Sequence, residues 1–254
     1  MRPRKSLGQH FLHDRGVIAR IIAAIDPQPG EHFVEIGPGR GALTLPLLER
    51  GVRLDVVEID REIVATLRRD WQQPALTIHG ADALTFDFGA LAEGPRSLRL
   101  AANLPYNIST PLLFHLLEQE AVFRDLTVML QREVVERMVA APGTAEYGRL
   151  TVSLAARCRV EKLFLVRPGS FTPPPQVDSA IARLVPEPER VAAIGDLARF
   201  DAIVARAFTQ RRKRLSNALK GVIEPRAFEV AGIDPGLRPG TLTAAQFAAL
   251  ASAA

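Results

Sequence analysis

Residues 33–41 limit the fold more than any other stretch. Phe33-Val34-Glu35-Ile36 is a short apolar run that reads as a buried strand. It passes directly into Gly37-Pro38-Gly39-Arg40-Gly41, and the segment from Ala42 to Arg50 reads as a helix. Strand, glycine-rich turn and helix in that order form the context in which an α/β protein holds a nucleotide. Glycines let the backbone approach a ligand closely, and the helix N-terminus offers unpaired amides. The spacing is G-x-G-x-G, not the G-x-G-x-x-G of pyrophosphate binders, and Pro38 removes one amide donor. Both features point away from a dinucleotide and toward a ligand without phosphates, such as S-adenosylmethionine. A tight turn made for packing is the competing reading of the glycines alone.

Acidic residues follow at the ends of the next strands. Leu54 to Val57 reads as a strand ending in Glu58, which lies 21 residues after Gly37 and is placed to accept hydrogen bonds from ribose hydroxyls. Asp60 competes for that role, or caps the helix that begins near Arg61. Thr77 to His79 reads as a third strand, and Asp82 beyond it is a candidate acceptor for the adenine amine of the same cofactor. With Glu35 in the first strand, an acid accompanies each of the three, which favours a nucleoside cofactor.

Leu98 to Ala102 reads as another buried strand, and it leads into Asn103-Leu104-Pro105-Tyr106. Ile108-Ser109-Thr110-Pro111 then reads as a helix start with Pro111 near the first turn. The tetrapeptide therefore falls in the loop at the carboxyl end of a strand, where open α/β sheets hold ligands. An amide oxygen and a main-chain carbonyl can accept both hydrogens of an exocyclic amine, while Tyr106 can stack on the base that carries it. Further on, Ser170-Phe171-Thr172-Pro173-Pro174-Pro175-Gln176-Val177-Asp178-Ser179 is a loop stiffened by three prolines. It offers Phe171 as a second aromatic for a flipped base; a rigid hairpin connection is the alternative.

With 254 residues, the chain has room for one sizeable α/β domain, expected over 1–186, and a smaller helical unit over 187–254. Apolar residues make up 47% and charged residues 24%, as in a globular protein. No long uncharged apolar run suggests a membrane span, and the N-terminus, with Arg2, Arg4 and Lys5, lacks the apolar core of a signal peptide. Cys158 is the only cysteine, which excludes an internal disulfide and suits a reducing cytoplasm. No Cys/His cluster has metal-ligand spacing, so no metal is expected. A net charge of +4 favours a polyanionic partner. The cations concentrate at Arg211-Arg212-Lys213-Arg214, within a segment read as one helix from Phe208 to Leu219 whose inner face carries Leu215, Leu219 and Val222. Such a surface can neutralise RNA phosphates.

Five motifs occur together in order: Gly8-Gln9-His10-Phe11-Leu12, Glu35 to Gly41, Val57-Glu58-Ile59-Asp60, Asn103 to Ser109, and Phe171 to Ser179. This set resembles the ribosomal RNA adenine dimethyltransferase family, and Phe208 to Lys213 resembles its C-terminal domain, so the likeness covers nearly the whole chain. The resemblance implies a Rossmann-like methyltransferase domain followed by a small all-α domain. It implies S-adenosylmethionine as cofactor, contacted by His10, Leu12, Gly37, Gly39, Gly41, Glu58, Asp82 and Asn103. Many members have asparagine where this chain has His10. The implied substrate is a pair of adjacent adenines near the 3′ end of 16S rRNA in the immature small subunit, acted on by a cytoplasmic monomer. Related alternatives are a large-subunit rRNA methyltransferase, a DNA adenine methyltransferase (which more often carries Asp-Pro-Pro-Tyr) and a ribosome-assembly checkpoint.

Overall fold

The structure, a computed structural model, describes residues 9–254. The start of the basic arm, with Arg2, Arg4, Lys5 and Gly8, lies outside the described residues. Two units divide the chain: the described residues up to Val135 with Glu161–Val185, and Glu136–Val160 with Pro186–Ala254.

The sheet and its covering helices run β1 (Phe11–Leu12), α1 (Arg15–Ile25), β2 (His32–Ile36), α2 (Thr44–Glu49), β3 (Arg53–Glu58), α3 (Arg61–Asp70), β4 (Leu76–Gly80), β5 (Leu98–Asn103), α4 (Ser109–Glu118), β6 (Phe123–Gln131), β7 (Cys158–Val166), β8 (Phe171–Thr172) and β9 (Ser179–Pro186). Seven strands form one sheet in the order β4-β3-β2-β5-β6-β9-β7. From β4 to β6 neighbours are parallel, and β9 runs antiparallel to β6. After β2 the chain winds outward through β3 and β4, then returns to place β5 on the other side of β2. That reversal is the topological switch point at which a doubly wound sheet opens a crevice. In register, Ile36 faces Val57 on one side and Ala102 on the other. The strand ends at Ile36, Glu58 and Asn103 therefore share one edge. Burial is nearly continuous along β2, β3 and β5 because both faces are covered, as parallel strands require, and even Glu35, Asp55 and Arg99 within them are buried.

Local chemistry sets the helix starts. Asp14 caps α1 by accepting from the Gly16 and Val17 amides, and Ile21, Ile22 and Ile25 turn into the core. Asp60 caps α3 by accepting from the Glu62 amide. Phe11 and Leu12 bury against β8, with Phe11 opposite Thr172 and Leu12 opposite Phe171.

At the opposite end of the strands lies an ionic network that hydrophobic periodicity does not reveal. Arg99 grips Asp125 with two bonds of 2.8 and 2.9 Å, reaches Glu31 at 2.6 Å and donates to the Ile25 carbonyl at 2.7 Å. Arg183 also donates to Asp125. Burial alone would raise the Asp125 carboxyl, yet the two guanidiniums hold it below the ordinary carboxylate range.

The remaining helices are α5 (Arg132–Met138), which crosses the boundary between the units, α6 (Arg149–Ala155), α7 (Pro188–Ile194), α8 (Leu197–Thr209), α9 (Leu215–Ala218), α10 (Pro225–Val230) and α11 (Ala244–Ala253). The division expected at 186/187 differs in one segment. Tyr147, Val152 and Ala156 pack into the same core as Phe200, Val204 and Phe247, so 136–160 groups with the C-terminal residues. The single helix expected over 208–219 is also corrected. α8 stops at Thr209, Arg211 to Arg214 lie exposed in a turn, and α9 restarts at Leu215. Adjacent like charges with no acid in reach gain nothing from helical spacing. The break changes which residues face inward: Leu215 and Leu219 are buried, but Ile223 takes the inner place and Val222 is exposed.

Removing Asp125 strips Arg183 of its carboxylate and leaves the buried Arg99 with Glu31 as its remaining ion-pair partner. Asp125→Ala is expected to destabilise the first unit by roughly 3–5 kcal/mol. Urea unfolding of the whole chain checks this; a loss below about 1 kcal/mol, the range of surface pairs, would contradict it.

Candidate active site

The edge formed by β2, β3 and β5 opens into a cleft, and most of the sequence-predicted site residues line it. They are His10, Leu12, Gly37, Gly39, Glu58, Asp82 and the whole tetrapeptide Asn103 to Tyr106. Two residues predicted for catalysis or cofactor contact do not. Gly41 takes φ +84°, and a Cβ there would fall 1.7 Å from the Trp71 ring, so it is a packing glycine beside α3. Phe171 is 2% exposed and sits in the core with Phe11 and Leu12, because the β1–β8 pairing turns it inward. A buried ring cannot offer its face to a base, so the proposed stacking role of Phe171 has no support in this arrangement.

The glycine turn forms the floor. Gly37 and Gly39 have φ of +66° and +55°, which any Cβ would strain. A Cβ at Gly37 would lie 3.9 Å from the Asn103 carbonyl oxygen, so floor and tetrapeptide are neighbours. On one wall Glu58 accepts from the Asp60 amide at 2.8 Å and from the Gly39 amide, and burial raises its carboxyl above the ordinary value. Asp60 does not line the cleft: one oxygen caps α3 and the other accepts from Gln9 Nε2 at 3.1 Å. Of the two acids that competed for the ribose, only Glu58 faces the space where a ligand fits. Asp82 follows β4 and uses Oδ1 to hold the Leu84 amide. Ile59, Ile63, Ala83 and Leu84 add an apolar lining that sequence reading did not pick out. Their only signal was proximity to Glu58 and Asp82.

Glu35 lies beneath the glycine turn, 2% exposed, and accepts from the Thr44 hydroxyl at 2.6 Å. Desolvation pushes its carboxyl up to about 8, against the smaller opposing effect of Thr44. At neutral pH it is therefore largely a neutral acid.

The tetrapeptide is held from three directions. Leu104 buries its side chain, and its amide donates to the Met129 carbonyl at 3.1 Å. Asn103 Nδ2 donates to the His10 carbonyl at 3.0 Å, which orients the amide and leaves Oδ1 to accept from a ligand. Tyr106 shares a 2.6 Å hydroxyl bond with Ser179, a residue sequence reading quoted only as part of a motif. Burial raises the Tyr106 phenol, so it stays protonated. The result is a site with the Asn103 oxygen available to accept, an aromatic ring and an adjoining cleft lined by acids. Such a site can hold an amine on a planar ring, and the cleft suits the adenosine and methionine parts of S-adenosylmethionine.

A family model described as ribosomal RNA adenine dimethylase matches residues 1–254. The chain belongs to this family. It is 54% identical over 248 residues to ribosomal RNA small subunit methyltransferase A of Thiobacillus denitrificans, covering 98% of this chain and 96% of that protein. It is 50% identical to the protein of the same name from Alcanivorax borkumensis, covering 99% and 90%. Among solved structures it resembles a dimethyladenosine transferase from Plasmodium falciparum, with TM-score 0.79, 26% identity and 95% and 96% coverage. It also resembles the 23S rRNA methyltransferase ErmE, with TM-score 0.70, 29% identity and 96% and 98% coverage. The protein is thus an S-adenosylmethionine-dependent rRNA adenine dimethyltransferase with a Rossmann-like catalytic fold.

A carboxyl raised in the folded state binds more protons there than in the unfolded chain. Its contribution is full below the unfolded value near 4.5 and is lost as pH rises through about 8. Wild type is therefore expected to lose thermal stability relative to Glu35→Gln between those limits. Parallel curves for the two proteins across that window would show that Glu35 is ionised when folded.

Proposed function

We propose that the protein dimethylates two adjacent adenines in the hairpin loop near the 3′ end of 16S rRNA, on small subunits still being matured. Relatives at 50–54% identity over nearly their full length carry the small-subunit name, which favours that substrate over the 23S rRNA of the more distant ErmE. Work on ribosomal subunits belongs to the cytoplasm. All the cleft residues come from one unit of a single chain, which is compatible with a monomer.

The observation that carries the chemistry is the fixed amide of Asn103 at the end of β5, beside Gly37 of the glycine turn. An adenine amine is a poor nucleophile because its lone pair is delocalised into the ring. In this reading Asn103 Oδ1 and the Leu104 carbonyl accept its two hydrogens. The nitrogen then becomes pyramidal and its lone pair is directed out of the ring plane. Tyr106 stacks on the extruded base, contributing about 1–3 kcal/mol, comparable with the few kcal/mol needed to unstack a loop adenine. Gly37 and Gly39 form the cofactor floor, Glu58 and Asp82 hold its ribose and adenine, and Leu12 closes the apolar side. When bound, S-adenosylmethionine supplies an electrophilic methyl group. The protein's contribution is geometric, and positioning of this kind is a large source of rate. Arg211, Arg212, Lys213 and Arg214, exposed in their turn, neutralise RNA phosphates.

The test is incubation of under-methylated small subunits with labelled S-adenosylmethionine, followed by mapping. Label confined to two neighbouring adenines of the 3′-terminal hairpin is expected; label on other nucleotides would refute the assignment. Asn103→Ala should lower turnover about 10²-fold or more, as loss of one preorganised polar contact does, with RNA affinity little changed. Equal losses in both would assign Asn103 to binding alone. Reversing Arg211 and Arg212 to Glu should weaken RNA binding and flatten the log–log salt slope by roughly 1.5–2. An unchanged slope would make the turn a solvated surface.

A further inference from the structure

The His10 side chain lies against Tyr106. The two rings stack with centroids 5.3 Å apart at 27°, leaving no room for a third ring between them. The imidazole is held from its far side, where Nδ1 donates to the Pro173 carbonyl at 2.8 Å. Its backbone is tied separately: the His10 carbonyl accepts from Asn103, and the next residue, Phe11, pairs with Thr172. The ring can therefore swing about its own side-chain bonds without disturbing the Asn103 amide. Phe171 cannot take part in this exchange because it is buried in the core.

We propose that the His10 imidazole is a placeholder for the substrate base, covering a face of Tyr106 in the free enzyme and leaving it when adenine stacks there. The inference rests on the adenine reading of the preceding section. A purine presents a larger π face than an imidazole, so the exchange favours the substrate. The tether to Pro173 is a single bond at an exposed position, and water replaces it easily. Until the base arrives, the covered ring is kept in one orientation by His10 on its face and by Ser179 at its hydroxyl. The proline-rich loop supplies both anchors, the Pro173 carbonyl and Ser179, which gives its stiffness a purpose other than presenting Phe171. His10 is then a gate on the substrate side of the cleft, although its position in the chain groups it with the cofactor residues.

A placeholder and a sandwiching partner predict opposite signs. His10→Ala and His10→Asn, which both remove the ring and keep the backbone bond to Asn103, should lower KM for under-methylated small subunits by about two- to tenfold. KM is read at saturating S-adenosylmethionine, and S-adenosylhomocysteine affinity, measured by calorimetry on the same proteins, reports any cofactor contact of the ring separately. In a Tyr106→Ala background, removing the His10 ring should have no further effect on KM. A rise in KM for both variants would make His10 a wall or partner of the base and overturn the proposal. So would a KM decrease that persists without Tyr106. Melting curves establish that each variant is folded, and two chemically different replacements guard against a local defect in either. If wild type labels no adenine at all, the adenine reading has failed and this inference falls with it. If label appears and KM does not fall, the placeholder alone is wrong.

Discussion

The hydrogen bond from Asn103 Nδ2 to the His10 carbonyl joins residues 93 positions apart and ties the arm before α1 to the loop after β5. An asparagine amide has two ends of opposite character, and an untethered one can present either. Committing the NH2 group to a main-chain carbonyl leaves an oxygen as the end available to a ligand. That choice requires His10 to stay in place, which in turn depends on the β1–β8 pairing and the burial of Phe11, Leu12 and Phe171. The buried Phe171 thus works at a distance: it holds the strand that holds the carbonyl that orients the amide. The polarity of the site is a consequence of packing several residues away.

The opposite ends of the same strands carry the compensating charges. Arg99, Asp125, Glu31 and Arg183 gather at one end of the sheet, while Glu35, Glu58 and Asp82 gather near the other. Paired cations keep Asp125 ionised despite burial, whereas no cation offsets the desolvation of Glu35. The buried ionic network stabilises the fold without entering the cleft. Burial raises the Glu35 and Glu58 carboxyls, because hydrogen bonds from Thr44 and from main-chain amides only partly replace water. A cationic ligand such as a sulfonium nucleoside would favour the ionised forms of these carboxyls, the opposite of the effect of burial.

Much of this arrangement was legible in residue patterns, and the reasons are local. β2, β3 and β5 are read correctly because a strand covered on both faces is predominantly apolar, with single charged residues at Glu35, Asp55 and Arg99, and because Gly37, Glu58 and Asn103 each mark where such a run stops. Asp14 and Asp60 announce their helices by capping chemistry that acts within three residues. Failures occur where a long-range partner decides. Nothing near Gly41 in sequence tells that Trp71 fills its Cβ position, and nothing near Phe171 tells that Leu12 faces it across an antiparallel pair. The 208–219 segment misleads for another reason. Leu215 and Leu219 keep helical spacing inside the short α9 and its cap, so the apolar pattern extends across a turn that the cations interrupt. The grouping of 136–160 with the C-terminal residues depends on which core Tyr147 and Val152 enter, and pattern alone does not state that.

The side chains around the proposed amine position have a further property in common: none is a base strong enough to take a proton from a neutral adenine amine. Tyr106 keeps its phenolic proton, Glu35 is neutral near pH 7 and already accepts from Thr44, and Glu58 is engaged by the main-chain amides of Gly39, Ile59 and Asp60. A mechanism that began by deprotonating an adenine amine would need a strong base here, and the site supplies carbonyl oxygens in its place. Carbonyls can bend an amine out of conjugation without taking its proton, which is what a nitrogen needs before it can attack carbon. Once alkylated the nitrogen bears a positive charge and loses its proton to water unaided. The same two acceptors can serve a second transfer only if the remaining hydrogen and the first methyl group share the space that two hydrogens occupied. The partly open rim by Pro105, Tyr106 and Asn107 is compatible with that demand, whereas a close-fitting pocket around the amine would stop at one methyl.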